Sequence, residues 1–201
     1  CLAAGETNLS GQVVDNRLVG DVRVCQPDGQ VCTRAELTLD TQTVSQTVFV
    51  YNDVPTTSIP IGSANACEGG DLIERTFVVS DSFSVASVKV GFNADLAYRN
   101  TLLAALTSPS GQQAILHNPL GYPGRNLDVT WDNAAWNILF NEKSPHNTAA
   151  PYYENARRPD QDINLLFGGE NAQGTWRLTL CEYDSLAVDN GVYNHSRLML
   201  S

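Results

Sequence analysis

Residues 168–200 read GGENAQGTWRLTLCEYDSLAVDNGVYNHSRLML. Gly168, Gly169 and Gly174 stand ahead of an alternating run in which Trp176, Leu178 and Leu180 share one side and Thr175, Arg177 and Thr179 the other. A repeat of two is the signature of a strand with one buried face, and the glycines supply the turn that starts it. After a second turn through Asp189, Asn190 and Gly191, Ser196, Leu198 and Leu200 fall on one face and Arg197 and Met199 on the other. The pattern predicts two strands that close a β-sandwich.

Working outward, residues 72–80 form a strand candidate. Residues 85–92 place Ala86, Val88, Val90 and Phe92 inward against Ser87, Lys89 and Gly91. An apolar run over 101–107 is stopped by the turn sequence Ser108-Pro109-Ser110-Gly111, and 112–117 makes the return strand before a loop at 118–125. Residues 141–162, interrupted by Pro145, Pro151 and Pro159, lack periodicity and are expected to be a long surface loop. Upstream, short strand-like runs at 12–14, 21–25, 35–39 and 47–51 suggest a small β-rich extension over 1–56. A connection rich in proline and glycine then leads into the sandwich over 57–201.

Composition agrees with many short strands: glycine and proline are scattered through the 201 residues, there is one Met, and Thr, Ser, Asn and Val are prominent. With 22 acidic against 12 basic residues the net charge is -10. Such a field repels phosphate backbones and anionic membranes, so nucleic acid is not an expected partner, while a cation such as calcium is admitted.

Five cysteines need places. Cys25 and Cys32 bracket QPDGQV, a turn sequence, so a disulfide-closed hairpin is one economical pairing. That would leave Cys67 and Cys181 for a long-range bridge; buried free thiols are the alternative. Both bridges together imply an oxidising, exported compartment. Cys1 is what remains when a bacterial lipoprotein signal is cleaved, and a diacylated Cys1 would be the sole membrane tether; an arbitrary chain start explains it equally well. No window approaches the roughly 20 apolar residues of a spanning helix.

The ordered series 88–92, then Leu102 to Leu106 running into Ser108-Pro109-Ser110-Gly111, then 131–135, Arg158-Pro159, Gly169-Glu170, Gly174-Thr175-Trp176, Gly191 and Leu198 resembles the P domain. This domain follows the catalytic domain in kexin- and furin-type proprotein convertases and in secreted bacterial proteases. The match runs from about residue 58 to the end. It implies a jelly-roll β-sandwich, galactose-binding-like in kind, that supports a serine endopeptidase by stabilisation or recognition and does not cleave bonds itself. Two positions depart from the family. Asn100-Thr101-Leu102 stands where Gly-Asp-Leu is usual, and Trp131-Asp132-Asn133-Ala134-Ala135 where bacterial members have Phe-Asp-Asp-Glu-Ala. Calcium wants about six to eight oxygens. Asp128, Asp132, Asn133 and Glu170 are the candidate ligands that remain, with solvated loop acids as the plainer explanation.

No catalytic constellation is evident. No Gly-x-Ser-x-Gly elbow or His-Glu-x-x-His occurs, and His117, His146 and His195 read as surface or strand-end residues. Trp131 and Trp136 are expected to anchor core and loops. Tyr152 and Tyr153, with Arg157 and Arg158, form a candidate binding loop for a glycan or peptide; the arginines also read as a solvated charge cluster beside Asp160 and Asp162. The chain is therefore expected to be a non-enzymatic, exported module whose partner is a protease catalytic domain, another protein or a glycan, with no cofactor beyond calcium.

Overall fold

A computed structural model describes residues 8–14, 17–25, 32–40, 47–60, 72–119, 124–139, 142, 144–182 and 191–201, the first three stretches as backbone. The chain divides into two compact units, Cys1–Gln46 and Thr47–Ser201. In the first, β1 (Asn8–Val14), β2 (Arg17–Cys25) and β3 (Cys32–Asp40) form an antiparallel sheet in that order. Its register sets Cys25 directly opposite Cys32.

The second unit stacks two sheets. One carries β4 (Phe49–Asp53), β5 (Thr57–Ile59), β7 (Val88–Asp95), β10 (Leu127–Asp132), β11 (Asn155–Arg157) and β13 (Gly191–Leu200), in the order β11-β10-β7-β13-β4 with β5 also on β13. The other carries β6 (Ile73–Val79), β8 (Leu102–Thr107), β9 (Gln113–His117) and β12 (Gly174–Glu182), in the order β6-β12-β8-β9. Among the described residues helix is confined to α1 (Ile163–Phe167) and a 3-10 turn at Arg99–Thr101. An all-β sandwich is thus the observed class.

The alternation in the sequence is the alternation of burial. Trp176, Leu178 and Leu180 of β12 face Val88, Val90 and Phe92 of β7 and Leu198 and Leu200 of β13 across one core. Phe92 lies 5.2 Å from Trp131 and 5.9 Å from Tyr193, ring centre to ring centre. Trp176 meets Phe167 edge-on at 5.2 Å, and its indole N–H donates to the Ala172 carbonyl at 2.9 Å, so the ring is buried without orphaning its polar atom. Gly174, at φ +134, needs the freedom of glycine: a Cβ there would stand 2.6 Å from Pro109, so the Ser-Pro-Ser-Gly turn packs onto the start of β12.

Three expectations change. Residues 47–56 belong with the sandwich and not with the N-terminal unit, because β4 pairs with β13 from Asp53↔Ser196 to Phe49↔Leu200. Arg75 of β6 clamps Asp53 through two bonds of 2.6 and 2.8 Å, joining the two sheets along that edge. Ala86 is exposed, since the inward alternation begins at Val88. The stretch 141–162 is not simply a surface loop. It contributes β11, parallel to β10, and its end lies along β9: the Asp160 and Gln161 amides donate to the Leu116 and Ile115 carbonyls at 3.1 Å, and Gln161 Oε1 accepts from the Ile115 amide at 2.7 Å.

Trp176→Ala is expected to lower unfolding free energy by about 3–5 kcal/mol, through lost transfer energy and the cavity left behind. Urea denaturation measures it; a loss below about 1 kcal/mol would contradict the buried placement.

Candidate functional site

The outer face of the larger sheet gathers most of the polar side chains that chemistry could use. Alternation along β10 sends Asp128 to this face, yet it is only 1% exposed, because residues 144–155 fold over it. A buried carboxylate must be met by donors. Asp128 Oδ1 accepts from Asn93 Nδ2 at 2.7 Å and from the Tyr153 amide at 2.8 Å, and Oδ2 accepts from the Glu154 amide at 3.1 Å. The Asn155 side chain donates to the Asp128 carbonyl at 2.8 Å. One aspartate thereby fixes the covering segment.

Tyr153 takes a left-handed backbone, φ 65, unusual for a bulky residue and costing roughly 1–2 kcal/mol. The compensation is visible. Its amide reaches Asp128, its carbonyl accepts from Thr130 Oγ1 at 2.9 Å, and its ring lies on Gly91, where a Cβ would sit 2.9 Å from Tyr153 Cγ. Its phenol meets His195 Nδ1 at 2.6 Å, and the Arg197 guanidinium stands 5.1 Å from the ring centre. Burial pushes the phenol up to about 12, so it stays protonated beside the imidazole. Burial also pulls His195 below its ordinary value. Tyr152, 49% exposed, sets its ring 4.3 Å from His195.

Behind this face lies a second cluster. His146 Nδ1 accepts from the Asp128 amide at 3.1 Å, and its Nε2 lies between Glu142 Oε1 at 3.1 Å and Arg99 Nη1 at 3.0 Å. Arg157 grips Glu142 with Nε at 2.7 Å and Nη2 at 2.6 Å. Arg99 is buried beside them; its Nη2 donates to the Arg125 carbonyl at 3.2 Å and to the Ser144 carbonyl, while its own carbonyl accepts from His117 Nε2 at 2.9 Å. Burial raises the Glu142 carboxyl, but hydrogen bonds from Arg157 and His146 outweigh it and hold the group at about 2. Burial lowers His146, His117 and Arg99. Both histidines are interior residues: His117 ends β9, a strand end as expected, while His146 is not at the surface its sequence neighbours suggest.

The four calcium candidates do not fit one ion. Asp128 is taken up by three N–H donors, from Asn93, Tyr153 and Glu154. Asp132 pairs with Lys89 Nζ at 2.7 Å and accepts from the Ala134 amide at 2.9 Å. Asn133 Oδ1 receives the Ile163 and Asn164 amides at 3.1 and 3.3 Å, and Glu170 Oε1 receives Ser110 Oγ at 2.9 Å. Each is a local brace, and among the described residues no three His, Cys, Asp or Glu side chains gather as a metal cluster would require. Of the candidate binding loop, Tyr152 and Tyr153 come together with His195, which the sequence pattern did not single out for binding. Arg157 is committed to Glu142 and is not a free solvated charge; Arg158 is exposed. Trp131 is core, but Trp136 is 95% exposed and anchors nothing. Cys1 and Cys67 lie outside the described residues, as do the side chains of Cys25 and Cys32.

The proprotein convertase P-domain family model matches residues 85–195. Among solved structures the chain is similar to the serine protease of Aeromonas sobria, in complex with the chaperone ORF2 (15% identity, TM-score 0.41) and in a second structure of that protease (15% identity, TM-score 0.40). Each likeness covers 90% of this chain and 36% of the protease, so the chain spans little more than a third of that protein's length. A structure from infectious bursal disease virus, Gt strain, is similar at 12% identity and a TM-score of 0.29, over 91% of this chain and 41% of that one. No curated protein matches the sequence.

Acid should weaken this fold in two stages. His117, His146 and His195 have folded values below the ordinary imidazole value, so as pH falls below about 6.5 the unfolded chain gains protons that the folded chain refuses. Stability is full above that pH and declines below it. A second decline follows between the ordinary glutamate value of about 4.3 and the folded Glu142 value of about 2. Urea midpoints at pH 7.5, 5 and 3 should fall in that order; equal midpoints at pH 7.5 and 5 would contradict the neutral buried imidazoles. Gly91→Val should expel the Tyr153 ring and let His195 titrate closer to 6.5 by NMR; an unchanged titration would remove Tyr153 from the burial of His195.

Proposed function

This chain belongs to the proprotein convertase P-domain family, and from that membership we propose that it serves as the non-catalytic accessory module of an exported, subtilisin-type serine endopeptidase. The family match over residues 85–195 carries the reading, because it spans β7 through the first half of β13 and thus the strands at the centre of the larger sheet. The family's domain accompanies subtilisin-like catalytic domains and is not itself catalytic. In this role the module would hold its catalytic partner in a folded, secretable state.

The same reading assigns the cysteines. Cys181 is buried, and we take Cys67 as its disulfide partner, tying the entry of the sandwich to its penultimate strand. Cys25 and Cys32, opposite one another across β2 and β3, form the second bridge. Both suit an oxidising compartment. A glycan- or peptide-binding module is the alternative role, favoured by one observation: Tyr152 stays half exposed on a braced segment beside His195.

Two measurements test this. A subtilisin-type domain encoded in the same gene, expressed with and without residues 47–201, should yield secreted active protease only when the module is present; equal yields would overturn the accessory role. Non-reducing peptide mapping of the exported protein should recover Cys25 linked to Cys32 and Cys67 linked to Cys181. Free thiols at these positions would overturn the oxidising assignment.

A further inference from the structure

The turn that leaves β10 carries an unused surface feature. Asp132 opens it, accepting the Ala134 amide at its side chain and the Ala135 amide at its carbonyl, both at 2.9 Å, and the Arg158 amide donates to the Asn137 carbonyl at 2.7 Å. The backbone on both sides of residue 136 is thus fixed. On this rigid turn Trp136 is 95% exposed and Ile138 is 45% exposed. A single exposed apolar residue is ordinary. Here, however, two flank Asn137, and Asn137 and Ile138 line a cavity of about 220 Å³ with Glu142 and Arg157.

We propose that Trp136 and this cavity form a binding subsite for one neutral pyranose ring of a glycan. An indole face offers flat apolar area at little entropic cost, which suits the C–H face of a sugar. The polar lining suits its hydroxyls. Arg157 and Glu142 neutralise each other, so the cavity holds no net charge for an ion, and the chain's charge of -10 disfavours acidic glycans. Yet the pair is not exhausted. Glu142 Oε2 takes one short bond, from Arg157 Nε, and so retains acceptor capacity, while the guanidinium has more N–H groups than the bonds it makes to Glu142 and Ala156. A hydroxyl that both donates and accepts fits such a pair, and the exposed Asn137 amide adds a donor and an acceptor. The volume, below the usual range for an enclosed small-molecule site, matches one ring and not a whole oligosaccharide.

The subsite is independent of the protease-supporting role, so Trp136→Ala should leave protease secretion unchanged. Calorimetric titration of the folded protein with cellohexaose, chitohexaose and maltohexaose should show saturable binding to at least one. Trp131 and Trp176 are fully buried, so bound sugar should shield the one exposed indole from acrylamide quenching. Trp136→Ala and Asn137→Ala should keep the parent urea midpoint while weakening binding at least about tenfold. Binding by none of the three sugars, undiminished binding by both variants, or binding of heparin fragments or an unstructured peptide in their place would overturn the proposal.

Discussion

The last strand of the sequence is an interior strand of the sheet. β13 pairs with β7 along one side and with β4 and β5 along the other, so Leu200 lies opposite both Val88 and Phe49. Neither neighbour can complete its ladder until the final ten residues of β13 are in place. The contacts that define the sandwich are therefore long in sequence separation, and loop closure must be met before they contribute, a topology associated with slow folding. Tyr193 shows the same dependence at side-chain level: its phenol reaches Asp53 Oδ2 at 2.5 Å and Ser196 Oγ at 2.6 Å, and Asp53 in turn holds Arg75 of the opposite sheet.

Above that frame, a single carboxylate organises the polar surface. Asp128 is inaccessible because 144–155 covers it, and 144–155 is ordered because Asp128 receives its amides. The arrangement supports both a strained Tyr153 and a neutral His146. Acidic residues at plausible spacing were used here as braces, each for a different loop, which is why a ligand set assembled from sequence order did not converge in space.

The strands bearing large apolar residues were legible because one-sided burial imposes a repeat of two: Trp176, Leu178 and Leu180, or Val88, Val90 and Phe92, can be read without coordinates. β11 was not, since Asn155, Ala156 and Arg157 carry no apolar alternation and are held by a parallel neighbour and by Asp128. The assignment of β4 failed for a related reason. Phe49 and Tyr51 resemble their upstream neighbours in composition, while the partner that claims them lies about 150 residues away, beyond any local window. The family motifs identified the fold, but His146, between Pro145 and Asn147, gave no local sign of burial; its environment is made by Asp128, Glu142 and Arg99 from three separate segments. Trp136 was misjudged in the opposite sense, because tryptophan is usually interior and a hydrogen-bonded turn carries it outward.

The segment at 160–161 laid along β9 has a consequence for how copies of the protein behave toward each other. An open sheet ends in strands whose amides and carbonyls invite another strand, and such edges seed aggregation. On the β9 side the Ile115 and Leu116 groups are already occupied by Asp160 and Gln161. On the other side β6 presents Glu74 and Arg75 within its run, even though Val78 is 73% exposed. Side-by-side polymerisation through the smaller sheet is thus opposed by occupancy at one margin and by charged side chains at the other.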